Sequence, residues 1–300
     1  MSINSFANKK YLEVTFVLGS GSFTDANGAP IGNSVTWGAG FRITADVKNV
    51  GGYSSAELNA RVYGVSEPQM NQAITMEWYA GTVVDNTVLV TAIDGNSRTL
   101  IFSGTAVNVW ARYDESPNVY LDIFARQLFS VAMNNSTVKH FPGAQPVADI
   151  VAQLANEMGL NFSNSENVQI TIKNETLIGS PYAQLNTLRK DSGVGIFISP
   201  KSISLTASER TPFKTEVVPI ISKETGLIGY PVPEAWGVSF SCLFNPQIVY
   251  GGVVELQSRV KIASGQWFVS SIRYLLNSMD PAPQWKCDVK GSTIPSGARD

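Results

Sequence analysis

The stretch that most constrains the fold runs from Val238 to Phe244. Val238, Phe240, Cys242 and Phe244 fall on one side, Ser239 and Ser241 on the other, and a period of two is the signature of an extended chain. Leu243 breaks the polar side. The run is therefore a half-buried antiparallel strand with apolar surface left over. Leu243 is left to be packed either by another part of the fold or by a partner chain. Two turn clusters, Gly229-Tyr230-Pro231-Val232-Pro233 and Asn245-Pro246, bracket the strand, and a second apolar run, Gln247 to Tyr250, leads to Gly251-Gly252.

Runs of this kind recur along the chain, separated by turn residues. In the first part they are Tyr11 to Leu18, Phe41 to Val47, Ala56 to Val65, Thr87 to Asp94, Thr99 to Val109 and Val119 to Phe124. Gly19 to Gly32 reads as a long polar loop that is mobile or meets a neighbour. One short helix interrupts the strands. Ser66 and Gln69 have capping-box spacing, Pro68 lies in the first turn, and Met70, Ala73, Ile74 and Trp78 form an apolar stripe that Gly81 ends. Such a stripe reads as core. Six strands and one short helix predict a small closed or nearly closed barrel over residues 1–133.

The pattern changes after Met133. Pro146 opens a helix with Val147, Ile150, Val151, Leu154 and Met158 on one face, and Gly159 stops it. A short strand is expected at Val168 to Ile172. Ser180-Pro181 opens a second helix with Tyr182, Leu185 and Leu188 inward, closed by Gly193. Gly195 to Ser199 and Ser202 to Thr206 form a hairpin across Pro200-Lys201. Residues 134–212 are thus a small α+β module. Residues 213–292 form a second β unit, with strands at Glu216 to Ile221, Val238 to Phe244, Val253 to Val260, Gln266 to Leu276 and Trp285 to Lys290, and 293–300 a polar tail. The expected class is mainly β (α+β): two tube-like antiparallel β-barrels flanking the module.

Charged residues make up only 15% of the chain, against roughly 25% in an average globular protein. That low share, with six Trp, ten Tyr and fourteen Phe, fits a surface covered by neighbours and equally a β domain rich in small polar residues. Net charge is −2 and there is no basic run, so tight nucleic-acid binding is not expected. The N-terminus lacks the apolar core of a signal peptide, and no window approaches the ~20 apolar residues of a membrane helix. A soluble protein made in a cytoplasm is expected. Cys242 and Cys287 can face each other inside one barrel, and as two buried thiols rather than a disulfide.

Catalytic constellations are sparse. His140 is the only histidine and stands in an apparent linker, so a triad would have to be built on it. Asp114-Glu115, Glu157 and Glu175 are carboxylates without a recognisable partner. Gly19-Ser20-Gly21 and Gly38-Ala39-Gly40 lack the lysine of a nucleotide loop. Asp25, Asn27 and Asp46 do not have EF-hand spacing. No catalytic residue, cofactor or metal is expected.

Tyr230-Pro231, the strand ending Cys242-Leu243-Phe244-Asn245-Pro246, the following glycine pair and the strand Val253 to Ser258 resemble the C-terminal barrel of phage baseplate hub proteins of the late-control hub family. The N-terminal part resembles the other barrel of that family. Arg61-Val62-Tyr63-Gly64-Val65-Ser66, the Met70-Asn71 helix, Asn86-Thr87-Val88, Phe102-Ser103-Gly104 and Pro117-Asn118-Val119 follow in the family's order. The resemblance implies a non-enzymatic virion protein: a homotrimer whose two barrels per chain make a pseudo-sixfold ring. That ring would join the tail tube protein to the central spike protein, touch other baseplate proteins and pass DNA only as cargo. Assembly would take place in the host cytoplasm. Candidate contact residues are Tyr230, Pro231, Trp236 and Leu243. A tail tube or distal tail protein, a carbohydrate-binding module of a receptor-binding tail tip and a tail-associated hydrolase are the alternatives.

Overall fold

The computed structural model of the chain describes residues 9–25, 27–51, 54–75, 85–113, 118–133, 137–281 and 283–294. Trp78, Gly81, Asp114-Glu115 and the tail from 295 lie outside the described residues. The chain is mainly β, and it divides into two compact units.

The first unit comprises Met1–Lys48, Ala56–Ser130 and Arg273–Lys286. Its strands are β1 (Lys10–Val17), β2 (Phe23–Thr24), β3 (Pro30–Gly32), β4 (Ser34–Trp37), β5 (Ile43–Asn49), β6 (Glu57–Tyr63), β7 (Thr87–Asp94), β8 (Ser97–Arg112) and β9 (Tyr120–Arg126). They pair in the order β5-β6-β9-β8-β7-β1-β4, every pair antiparallel. Alternation sets the faces: Leu12, Val14 and Phe16 of β1, Leu58 and Val62 of β6, and Val88 and Val90 of β7 are fully buried. Phe16 meets both Phe23 and Trp37 with ring centroids 6.2 and 6.3 Å apart.

Helix α1 (Glu67–Ala73) touches strands far apart in that order. Trp37 Nε1 of β4 donates to Gln69 Oε1 at 3.2 Å, and Thr75, just past the helix, bridges Val109 of β8. The sheet therefore curves around the helix. The barrel expected to be closed or nearly closed shows no closing ladder: among the described residues no pair joins β4 back to the far end of the order.

The expected capping box is not made. Ser66 has no side-chain cap bond. The Trp37 indole is only 1% exposed and needs an acceptor, whereas water can serve the exposed helix start, so Gln69 goes to the indole. The helix also ends sooner than its stripe predicts. The N–H and C=O of Thr75 are both taken by Val109, and Ile74 is turned outward. The Gly19 to Gly32 loop contains the β2–β3 hairpin, in which Asp25 Oδ1 accepts the amides of Asn27 and Ala29.

The second unit comprises Asn49–Ser55, Val131–Ile272 and Cys287–Asp300. The short helix α2 (Phe129–Met133) straddles the point in the sequence, Ser130 to Val131, where the first unit's range gives way to the second's. The second unit opens with β10 (Thr137–Pro146), α3 (Val147–Glu157), β11 (Asn161–Ser163), β12 (Thr171–Gly179), α4 (Pro181–Ser192), β13 (Gly195–Ile198) and β14 (Ser202–Thr206). The stripe of α3 is buried through Val147, Ile150, Val151 and Leu154. Ser180 Oγ accepts the Ala183 amide to cap α4, and Gly193 at φ 71° ends it in the left-handed region that glycine tolerates. The β13–β14 hairpin forms as expected.

Two expectations fail here. His140 is not in a linker but in β10, facing Thr176 of β12, with Nδ1 and Oγ1 2.9 Å apart. The strand expected at Val168 to Ile172 starts later, at Thr171, because Asn164 holds Val168 by its N–H and C=O. The polar composition of Lys173 to Thr176 hid a strand whose partner, not its pattern, defines it.

The rest of this unit is a six-strand set, β15 (Ile220–Ile221), β16 (Leu227–Glu234), β17 (Gly237–Leu243), β18 (Val253–Leu256), β19 (Gly265–Ser278) and β20 (Trp285–Ser292), ordered β16-β17-β20-β19-β18-β15. The β15–β18 pair is parallel. The strands expected from Glu216 and to Val260 are both shorter than predicted. After them Lys261–Ala263 forms a single 3-10 turn. Residues Arg273–Ser278 of β19 belong to the first unit, where Arg273 pairs with Asp46. Phe197 packs on Phe213, Tyr250 and Phe268. No helix among the described residues is long and apolar enough to cross a membrane.

Candidate interaction surface

The surface is built on the β16–β17 hairpin. In β17, Val238, Phe240 and Cys242 are buried, and Ser241 Oγ donates to Asp288 Oδ1 of β20 at 2.6 Å. Gly237 is required at the hairpin turn: a Cβ there would lie 1.9 Å from the Gly291 carbonyl oxygen.

The residues Gly229 to Pro233 read as a turn cluster, yet they lie within β16. Leu227 and Ile228 face Cys242 and Ser241, and Val232 to Glu234 face Ser239 to Gly237, with a bulge between. Proline lacks the N–H a central strand needs, so it is confined to edges and bulges. Pro231 sits in the bulge, and β16 is the terminal strand of its order. Prolines and a bulge blunt an edge against indiscriminate pairing, and here they turn apolar side chains outward.

The four candidate contact residues separate. Trp236 is 84% exposed and Tyr230 65%. Pro231 is buried. Leu243 is half-buried on Gly226, whose carbonyl accepts its N–H at 2.8 Å. The break in the alternation is thus packed from within the fold. Sequence reasoning missed three further exposed residues: Ile228, Val232 and Ile262, the last on the 3-10 turn, which packs beside β16. A strand edge of Ile, Tyr, Val and Trp has the composition of a protein interface core, and the Glu234–Lys290 ion pair, at 3.6 Å, borders it. Next to Trp236 lies a cleft of about 310 Å³ that also takes in Arg189, Glu209 and Arg210. Arg189, 5% exposed, reaches Glu209 Oε1 at 2.6 Å.

Of the candidate catalytic carboxylates among the described residues, Glu157 pairs with Lys139 and Glu175 lies opposite Phe141 in the β10–β12 ribbon; Asp46, weighed as a calcium ligand, pairs with Arg273. Among the described residues no cluster of His, Cys, Asp and Glu could hold a metal ion.

The fold is that of tail proteins. A 43 kDa tail protein of prophage MuSo2 from Shewanella oneidensis superimposes with a TM-score of 0.57 at 12% identity, over 95% of this chain and 98% of that one. A tail protein from Neisseria meningitidis gives 0.58 at 8% identity, over 94% and 96%. An E. coli type VI secretion component, described as structurally similar to the T4 bacteriophage tail proteins gp27 and gp5, gives 0.55 at 6% identity, over 85% and 74%. A sequence search of curated proteins found no match. The sequence model of the family described as baseplate hub gp41 matches residues 56–288, and by that match over most of its length the chain belongs to the baseplate hub gp41 family.

Proposed function

We propose that the chain is a structural subunit of a phage tail baseplate hub. Three copies form a ring in which residues 1–133 and 213–292 act as two tube-like domains per chain, with 134–212 as the module between them. Six such domains match the tail tube on one side, and three chains match the central spike on the other. The observation that carries this reading is the family match over residues 56–288. The role is mechanical. The ring holds spike and tube together, keeps a channel open for DNA, and uses no cofactor and no catalytic group. Its place is the virion, after assembly in the host cytoplasm. A low formal charge of −2 suits a channel that must not retain DNA.

Subunits meet through β16 and the turn after it. Tyr230 and Trp236 are the anchors, Ile228 and Val232 fill between them, and Pro231 and Leu243 hold the strand in shape from inside. Large exposed aromatics of this kind carry most of the energy in protein interfaces.

The test is the mass of the purified protein in solution with electron-microscope class averages of any oligomer, alone and mixed with its tail tube protein. Threefold particles with a pseudo-sixfold open ring support the hub. Closed sixfold rings of single barrels move the assignment to a tail tube or distal tail protein. A chain that stays monomeric beside its tube protein and binds glycans is a tail-tip binding module instead.

A further inference from the structure

Cys242 and Cys287 are set opposite each other on neighbouring strands, and three independent contacts fix that register. Ser241 reaches Asp288 at 2.6 Å, the Thr293 amide donates to the Trp236 carbonyl at 3.3 Å, and Gly237 lies against Gly291 and Ser292. The same antiparallel register places Cys242 of β17 directly across from Cys287 of β20. Opposed residues in an antiparallel ladder have Cα atoms roughly 4.5–5.5 Å apart and side chains on one face. Disulfides span about 4.4–6.8 Å. Both thiols are free, and they are only 1% and 0% exposed.

We propose that Cys242 and Cys287 are a latent cross-strand disulfide, closed by a small peroxide and locking β17 to β20. One thiol attacks hydrogen peroxide, breaking the O–O bond, and becomes a sulfenic acid with release of water. The second thiol attacks that sulfur and expels a second water. Two thiols are oxidised, one peroxide is reduced, and no oxygen stays on the protein. Burial selects the oxidant: peroxide is small enough to enter a packed interior on local opening, and a bulky disulfide reagent is not. Burial, and then the hydrogen bond to Cys242, pushes the Cys287 thiol well above its ordinary range, which keeps the pair reduced until oxidant is abundant. The cysteines are 45 positions apart, so the link closes a long loop of the unfolded chain. The chemistry holds whether or not the chain forms a hub ring.

The full-length protein is treated with hydrogen peroxide, denatured, alkylated and digested. The expected product is a single linked pair of peptides holding Cys242 and Cys287, with two hydrogens lost, no alkylation of either thiol and a melting midpoint raised by roughly 10 °C. Cys242→Ser and Cys287→Ser, treated alike, should give no linked peptide and no rise. The wild-type peptide map stands even if either variant fails to fold. Two alkylated thiols, oxygen added to either cysteine without a link, or links between chains would each overturn the proposal.

Discussion

Asn86 shows how much one buried side chain can organise. It is 3% exposed, its amide donates to Thr75 Oγ1 at 2.9 Å, and its carbonyl oxygen accepts the Gly19 amide at 2.9 Å. Asn86→Ala takes away the side-chain acceptor of the Gly19 amide and one of the two bonds of the Thr75 hydroxyl, which still donates to the Ala73 carbonyl, and should cost about 1–3 kcal/mol, read as a lower urea midpoint at unchanged slope. At the surface, Glu224 accepts from Ser222 Oγ at 2.8 Å, and this hydrogen bond holds its carboxyl below the ordinary range. A depressed carboxylate contributes stability that is complete above its unfolded pKa and fades as pH falls through its folded one. NMR titration should therefore place the Glu224 midpoint below that of a free glutamate, and Ser222→Ala should raise it toward that value, the backbone hydrogen bond and Lys223 still lowering it; a midpoint that Ser222→Ala leaves unmoved would remove the Ser222 hydrogen bond from the account.

Caps and edges decide what the elements do. Ser180 caps α4 through its hydroxyl, so Ser180→Ala should cost about 1 kcal/mol. Ser66→Ala should cost much less, since Ser66 makes no such bond. Comparing the two unfolding midpoints tests the distinction. Tyr230 faces out from the β16 edge and Trp236 from the turn after it, so removing these two side chains takes nothing from a core. Tyr230→Ser with Trp236→Ser should therefore shift stability by no more than about 0.5 kcal/mol. The same double change should abolish self-association if β16 is the subunit contact, and a particle mass unchanged from the parent would place the contact elsewhere.

For the whole molecule the decisive quantity is copy number. The hub reading expects a particle of three times 32.4 kDa, and three chains with two tube-like domains each present six domains to the tube. A ring of subunits joined through unlike surfaces closes at a fixed number only if the rotation between neighbours returns to its start. Sedimentation or light scattering over a range of concentrations should give one discrete mass rather than a growing series. A continuous increase would mean open filaments and would count against the hub.

The sequence by itself determined the β class, the two helices with proline starts and glycine stops, the β13–β14 hairpin and the inward face of β17. All of these rest on local chemistry: period, capping and turn residues. It also carried the family, through the order of short motifs. Tertiary structure decided the rest. Gly229 to Pro233 read as a turn but form an edge strand, because proline is excluded only where a second neighbour needs its N–H. Lys173 to Thr176 became a strand because β10 supplied a partner. Gln69 left its cap for a buried indole. Leu243 turned out to be packed by Gly226, and Tyr230 and Trp236 to be exposed. Each of these outcomes depends on which group lies across from a residue in space, and a period along the chain does not contain that information.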